Sequence, residues 1–274
     1  MTDRVLIALV TACFLLQPIS TDLYLASLPA LVNEFEAPLA LVQLTLSLFA
    51  MAFGFAQLLV GPLSDRLGRR PLLIAGAATY VFGSLGCAFS QSLASLIFFR
   101  VLQAVGCCTA VVVSRAVVRD CHSLTEAAQR IAKASSNMGG AVLLGPIVGA
   151  QLQIHFGWRA AFVFHAVVGL ALLVFIHRYQ VETVRNANSK IMTANSVIGD
   201  YLLVAKRREF WAYALPGCLS YGALFVFISG ASFSLIRVLG VSVATYGYCF
   251  SLGCTGYLLG SLLCRIPFHT IHNA

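Results

Sequence analysis

Asp22 and Arg100 are ionisable residues set inside long apolar runs, where a charge is costly and marks a functional candidate. Asp22 lies about 25 Å from the start of the first run and Arg100 about 10 Å from the start of the fourth, at 1.5 Å per residue. Both depths fall in one half of a hydrocarbon core about 30 Å thick, so the two could meet if their helices pack side by side. A carboxylate beside a guanidinium titrates in a way that bound substrate or hydration can shift. Two blander readings stay open: a static pair that holds two helices in register, or an Asp22 at the level of the headgroups. Helical spacing puts Arg100, Gln103, Cys107, Ala110 and Ser114 on one face, so Arg100 and Gln103 would point together into a cavity.

A second constellation is the hydrophilic stretch Gly61-Pro62-Leu63-Ser64-Asp65-Arg66-Leu67-Gly68-Arg69-Arg70-Pro71. Gly61-Pro62 is expected to end the preceding helix, Gly68 to permit a tight reversal, and Pro71 to sit in the first turn of the next helix. Arg66, Arg69 and Arg70 resist crossing a bilayer. A third stretch, Gly145-Pro146-Ile147-Val148-Gly149-Ala150, combines small residues that let helices approach closely with a proline that can bend one. Tyr221 with Phe225, and Tyr246 with Phe250, are aromatic pairs at helical spacing. They either pack against neighbouring helices or line a pocket for flat apolar compounds.

The elements that must carry these residues are membrane spans. Of 274 residues, 59% are hydrophobic and 10% charged, and the mean hydropathy is +0.87. Such a chain has too little polar surface to cover a soluble core. The net charge of +8 is spread between apolar runs rather than gathered in a patch, which argues against nucleic acid. The nine cysteines lie mostly inside apolar segments without C-x-x-C spacing, so neither a metal site nor a disulfide framework is expected. Eight runs suffice to cross a bilayer, near residues 5–28, 39–60, 72–89, 93–117, 131–154, 160–176, 210–236 and 241–263. With the N-terminus inside, nearly all lysines and arginines fall on inside segments, and outside loops keep only Arg159 and Arg237, the asymmetry expected of a cytoplasmic-membrane protein. The longest hydrophilic segment divides six spans from two. The resulting organisation is residues 1–177 as a six-helix bundle, 178–209 as a cytoplasmic linker and 210–274 as a partial second bundle.

The 61–71 stretch resembles the signature between helices 2 and 3 of major facilitator superfamily transporters. Thr21-Asp22-Leu23-Tyr24-Leu25 and Arg100-Val101-Leu102-Gln103-Ala104-Val105-Gly106 are similar to helix 1 and helix 4 motifs of its Bcr/CflA drug-resistance subgroup, with Ala26 where proline is usual. Gly145-Pro146 with Gly149 resembles the antiporter motif, Ala150 replacing its last glycine. Ser114 to Asp120 also resembles the subgroup.

The resemblance implies an all-α multi-pass fold whose second half is partial, and export of small drug-like molecules by alternating access in exchange for protons. It implies Asp22 and Arg100 as the coupling pair. Gly61, Asp65, Arg66, Gly68, Arg69, Arg70 and Arg115 would form a cytoplasmic gate, and Tyr24, Gln103, Tyr221 and Phe225 are candidates for the substrate cavity. No cofactor and no enzyme activity are expected. The family continues through four more helices, and the chain beyond Leu263 reads as truncated or frame-shifted. A transport-inactive remnant, a membrane interaction partner, self-association and a separately encoded C-terminal part are therefore alternatives to a working transporter.

Overall fold

The computed structural model describes residues 3–183 and 194–263; residues 184–193 of the linker and the last eleven residues of the expected truncated end lie outside the described residues. Eleven helices fill the described residues: α1 (Asp3–Leu25), α2 (Leu28–Glu34), α3 (Leu39–Leu67), α4 (Arg69–Ala88), α5 (Leu93–Cys121), α6 (Leu124–Asn137), α7 (Gly139–Phe156), α8 (Arg159–Tyr179), α9 (Ala194–Ala205), α10 (Arg208–Phe233) and α11 (Val243–Leu263). A π turn, Ser234–Val238, extends α10. Seven spans are long and apolar enough to cross a membrane, with α6 and α7 joined as one. The eighth expected crossing is α11, whose 21 residues include four glycines, three tyrosines and four threonines or serines, a composition that lowers its hydropathy.

Three boundaries differ from expectation. Gly61-Pro62 does not end the second span, because α3 continues through Pro62 to Leu67. Proline removes the N–H that would pair with the carbonyl four residues earlier. That carbonyl, on Leu58, instead accepts from the Tyr201 hydroxyl of the linker helix α9 at 2.7 Å. The first span stops at Leu25, and the chain turns through Ser27, whose N–H donates to Tyr24 O at 2.9 Å, into the short α2. The fifth span is two helices meeting at Met138, before Gly139-Gly140. The first of them opens on a capping box formed by Ser123 and Glu126, which satisfies two otherwise unpaired N–H groups.

Helix α5 runs against α4, α3 and α1, while α4 also packs on α8 and α1 on α7 and α8. Lipid is as apolar as leucine, so packing in a membrane depends on close backbone approach rather than on a hydrophobic drive. A Cβ placed on Gly106 of α5 would lie 2.4 Å from Tyr80 N of α4, so only glycine allows these two backbones their separation. Helix α11 packs along α7, whereas most of α10 is exposed.

Candidate functional site

Arg100 is fully buried near the middle of the bundle, and helical rotation on α5 brings Gln103, Cys107, Ala110 and Ser114 into the interior on the same face. The expected Arg100–Asp22 ion pair does not form. The guanidinium instead donates from Nη1 to Ser20 O at 3.1 Å and to Gln103 Oε1 at 2.7 Å, and from Nε to Thr45 O at 3.4 Å. Its carbon lies 4.3 Å from the centre of the Phe49 ring and 4.7 Å from that of Tyr24. Ring faces and carbonyl oxygens carry partial negative charge, so they stabilise the cation where a carboxylate was expected.

The polarity of the network follows from Arg100. An arginine only donates, so the Gln103 oxygen must accept and its amide nitrogen must donate. That nitrogen reaches Ser84 Oγ at 2.8 Å and His165 Nδ1 at 3.3 Å. His165 Nδ1 is then the acceptor, and Nε2–H donates to Ile19 O at 3.1 Å, which sets the neutral Nε2–H tautomer. Ser20 and Tyr80 close the far side, oxygen to oxygen at 2.7 Å. Tyr24, expected in the cavity wall, is fully buried and shares a 2.8 Å hydrogen bond with Thr45. Gln103 likewise belongs to this sealed network rather than to a cavity.

Asp22 faces away from Arg100, toward α7, α10 and α11. The Thr21 hydroxyl donates to its carboxylate at 2.9 Å, and the phenols of Tyr221 and Tyr246 lie within electrostatic range of it. Gly145 and Gly149 create the room. A Cβ on Gly145 would lie 3.3 Å from Asp22 Cβ, and one on Gly149 would lie 2.1 Å from Leu23 O. On the opposite side of α7, a Cβ on Gly247 of α11 would lie 2.9 Å from Pro146 O, and Ser251 Oγ donates to Leu143 O at 2.7 Å. Helix α7 is thus held between α1 and α11 at the level of Asp22.

A cavity of about 310 Å³ opens beside this crossing, walled by α1, α3, α5 and α10. Tyr221 and Phe225 line it together with Gln17, Thr21, Phe49, Phe53, Gln57 and Arg115, and the two aromatic rings from α10 stack with centres 6.4 Å apart. Both buried charges stand one side chain behind the wall, Asp22 behind Thr21 and Arg100 behind Phe49. The other aromatic pair, Tyr246 and Phe250, packs in the apolar interior beside α7.

At the end of the bundle that carries Gly68, Arg69 pairs with Asp65 at 2.6 Å and with Asp120 at 2.9 Å and also donates to Ser64. Arg115, expected in this cluster, is absent from it: its guanidinium sits 4.9 Å from the Phe14 ring centre and opens on the cavity. The place is taken by Asp120, five residues further along α5, to which the Thr183 hydroxyl also donates at 3.0 Å. Gly68 has φ +93°, the left-handed region that favours glycine. The Glu182 carboxylate accepts from the N–H groups of Arg69 and Arg70 at 2.9 and 3.0 Å, satisfying the first donors of α4. Arg70 donates to His177 O at 3.1 Å, and Arg66 is exposed.

A family profile described as Major Facilitator Superfamily matches residues 10–270. The chain belongs to the major facilitator superfamily. A chloramphenicol resistance protein of Pseudomonas aeruginosa is 34% identical over 86% of this chain and 56% of its own length. A bicyclomycin resistance protein homologue of Haemophilus influenzae is 28% identical over 91% of this chain and 63% of its own length. The chain therefore spans a little more than half the length of these relatives, whose names agree with the drug-resistance subgroup its motifs resemble. Among solved structures, a bacterial homologue of the human lysosomal transporter Spinster, inward-facing and occupied, superposes with a TM-score of 0.74 at 18% identity, covering 96% of this chain and 62% of that one. That likeness establishes the fold. The superfamily is one of membrane transporters, not of enzymes, and this member is a multi-pass membrane protein with a partial second bundle.

Tyr80, His165, Asp120, Glu182 and Gly247 escaped the sequence reading of this superfamily member. Asp120 and Glu182 carried a signal, being acids beside arginine-rich ends. The others look like ordinary apolar-run residues until the helices are packed.

Proposed function

We propose that this chain carries the export half-reaction of a drug:proton antiporter, moving small drug-like molecules out of the cytoplasm by alternating access. The observation that carries it is the position of Asp22: a buried carboxylate, hydrogen-bonded to Thr21 at 2.9 Å, directly behind the wall of an aromatic cavity. A proton taken up by Asp22 changes what Thr21 presents to the cavity, which is the physical requirement for coupling. Arg100 acts as the fixed cation that holds α1, α3 and α5 in register around that cavity. The Gly145-Pro146-Gly149 crossing lets α7 move against α1, and the Arg69 cluster latches the cytoplasmic ends. The positive residues at that end support a cytoplasmic side of an inner membrane for it and for the N-terminus. Residues 1–177, 178–209 and 210–274 form the bundle, the linker and the partial second bundle. The resistance names of the two relatives support this reading.

The largely exposed α10 favours a second reading, in which these residues insert in the bilayer yet transport only with further helices from a second copy or a separately encoded part.

Accumulation of a fluorescent dye in energised cells tests both, with membrane protein levels matched. Lower accumulation, abolished by Asp22→Asn and by collapse of the proton gradient, is the expected result. Accumulation equal to that of empty cells despite stable membrane protein overturns the export reading for this chain alone.

A further inference from the structure

Among the described residues, Arg115 is the only charged side chain lining the cavity, and it has no ion-pair partner there. Its guanidinium rests over the Phe14 ring at 4.9 Å, which orients it without neutralising it. The neighbouring charge in electrostatic range on the same helix, Arg119, adds to the positive field. Asp22 stands behind Thr21, outside the lining, and its charge reaches the wall at Tyr221 rather than at Arg115. The wall also offers neutral donors. Tyr221 Oη accepts from Gln17 Nε2 at 3.4 Å, which leaves the tyrosine O–H free to donate. Gln57 offers a further amide on the α3 side. Phe225 stacks beside Tyr221 and supplies a flat apolar face.

We infer that this cavity selects aromatic compounds bearing an acceptor-rich group, such as a carboxylate, and discriminates against lipophilic cations, with Arg115 as the selecting residue. Planar guanidinium groups recognise carboxylates in bidentate fashion, and a fixed like charge repels a cation at close range. The inference rests on the reading of this cavity as the substrate site.

The test uses a pair of ligands matched in ring and opposite in charge, 1-naphthoate and 1-naphthylmethylammonium, with saturation binding to the purified full chain in detergent. Naphthoate is expected to bind roughly tenfold more tightly. Arg115→Gln should abolish the preference, and Arg115→Lys, which keeps the charge, should retain most of it, provided all three proteins elute as monodisperse species. Equal or tighter binding of the cation, no saturable binding of either ligand, or an unchanged preference in Arg115→Gln overturns the inference. Loss of the naphthoate site on adding phosphatidylglycerol would assign Arg115 to a lipid headgroup and overturn it as well. Failure of efflux in cells with the naphthoate preference intact overturns the export reading alone.

Discussion

The Thr21 hydroxyl donates to the Asp22 carboxylate across 2.9 Å, and Thr21 is the member of that pair that reaches the cavity. A hydrogen bond to a charged group contributes about 1.5–3 kcal/mol. Thr21→Val, which keeps the shape and removes the donor, should lower proton-coupled efflux by about tenfold or more at matched membrane protein. Thr21→Ser should restore most of it. Equal rates in the valine variant would mean that Asp22 does not act through Thr21.

Arg100→Lys is expected to behave as a severe substitution. Lysine offers a compact ammonium in place of the planar group that bonds Ser20 O and Gln103 together and stacks on Phe49, so it cannot satisfy both directions at once. Leaving buried acceptors unpaired costs about 1–3 kcal/mol. The thermal unfolding midpoint of the purified protein should fall, and Gln103→Leu combined with Arg100→Lys should cost less than the two single changes summed, because the residues share one network.

Gly149→Ala should destabilise the α1–α7 crossing, since its methyl would meet Leu23 O at 2.1 Å. Overpacking of this kind typically costs about 1–3 kcal/mol. Gly140→Ala, ten residues or fewer away on the same helix with open space around it, should be neutral or slightly stabilising, as alanine is the better helix former. Thermal unfolding of the two variants side by side checks this; similar midpoints would contradict the close approach.

Gly68→Ala meets two obstacles. The backbone there has φ +93° and ψ 153°, a region used almost only by glycine and costing about 1–3 kcal/mol for other residues. The added carbon would also lie 2.6 Å from Glu182 Oε2. Glu182→Ala removes the second obstacle but also the acceptor for the Arg69 and Arg70 N–H groups, so in a denaturation series Gly68→Ala should cost less on the Glu182→Ala background than alone, yet still cost something, because the backbone obstacle remains.

Much of the architecture was legible in the chain itself. A hydrocarbon core demands uninterrupted apolar runs, and backbone groups there must pair internally, so runs ended by polar residues translate directly into spans. The reversal at Gly68 and the place of Pro71 in the first turn of α4 followed from local stereochemistry, as did the buried face from Arg100 to Ser114. Pro62 misled because its unpaired carbonyl partner on Leu58 is met by Tyr201, a residue more than a hundred positions away. The tertiary structure alone decided which way each buried group faces. Helix rotation turned Asp22 toward α7 and α11 and gave Arg100 to carbonyls and ring faces. It brought Asp120 instead of Arg115 to Arg69, placed Arg115 in the cavity wall, and drew His165 into the network through Gln103. Those choices depend on crossing angles set by small residues such as Gly106, Gly149 and Gly247 on different helices, and spacing along one helix carries no record of where another will touch it.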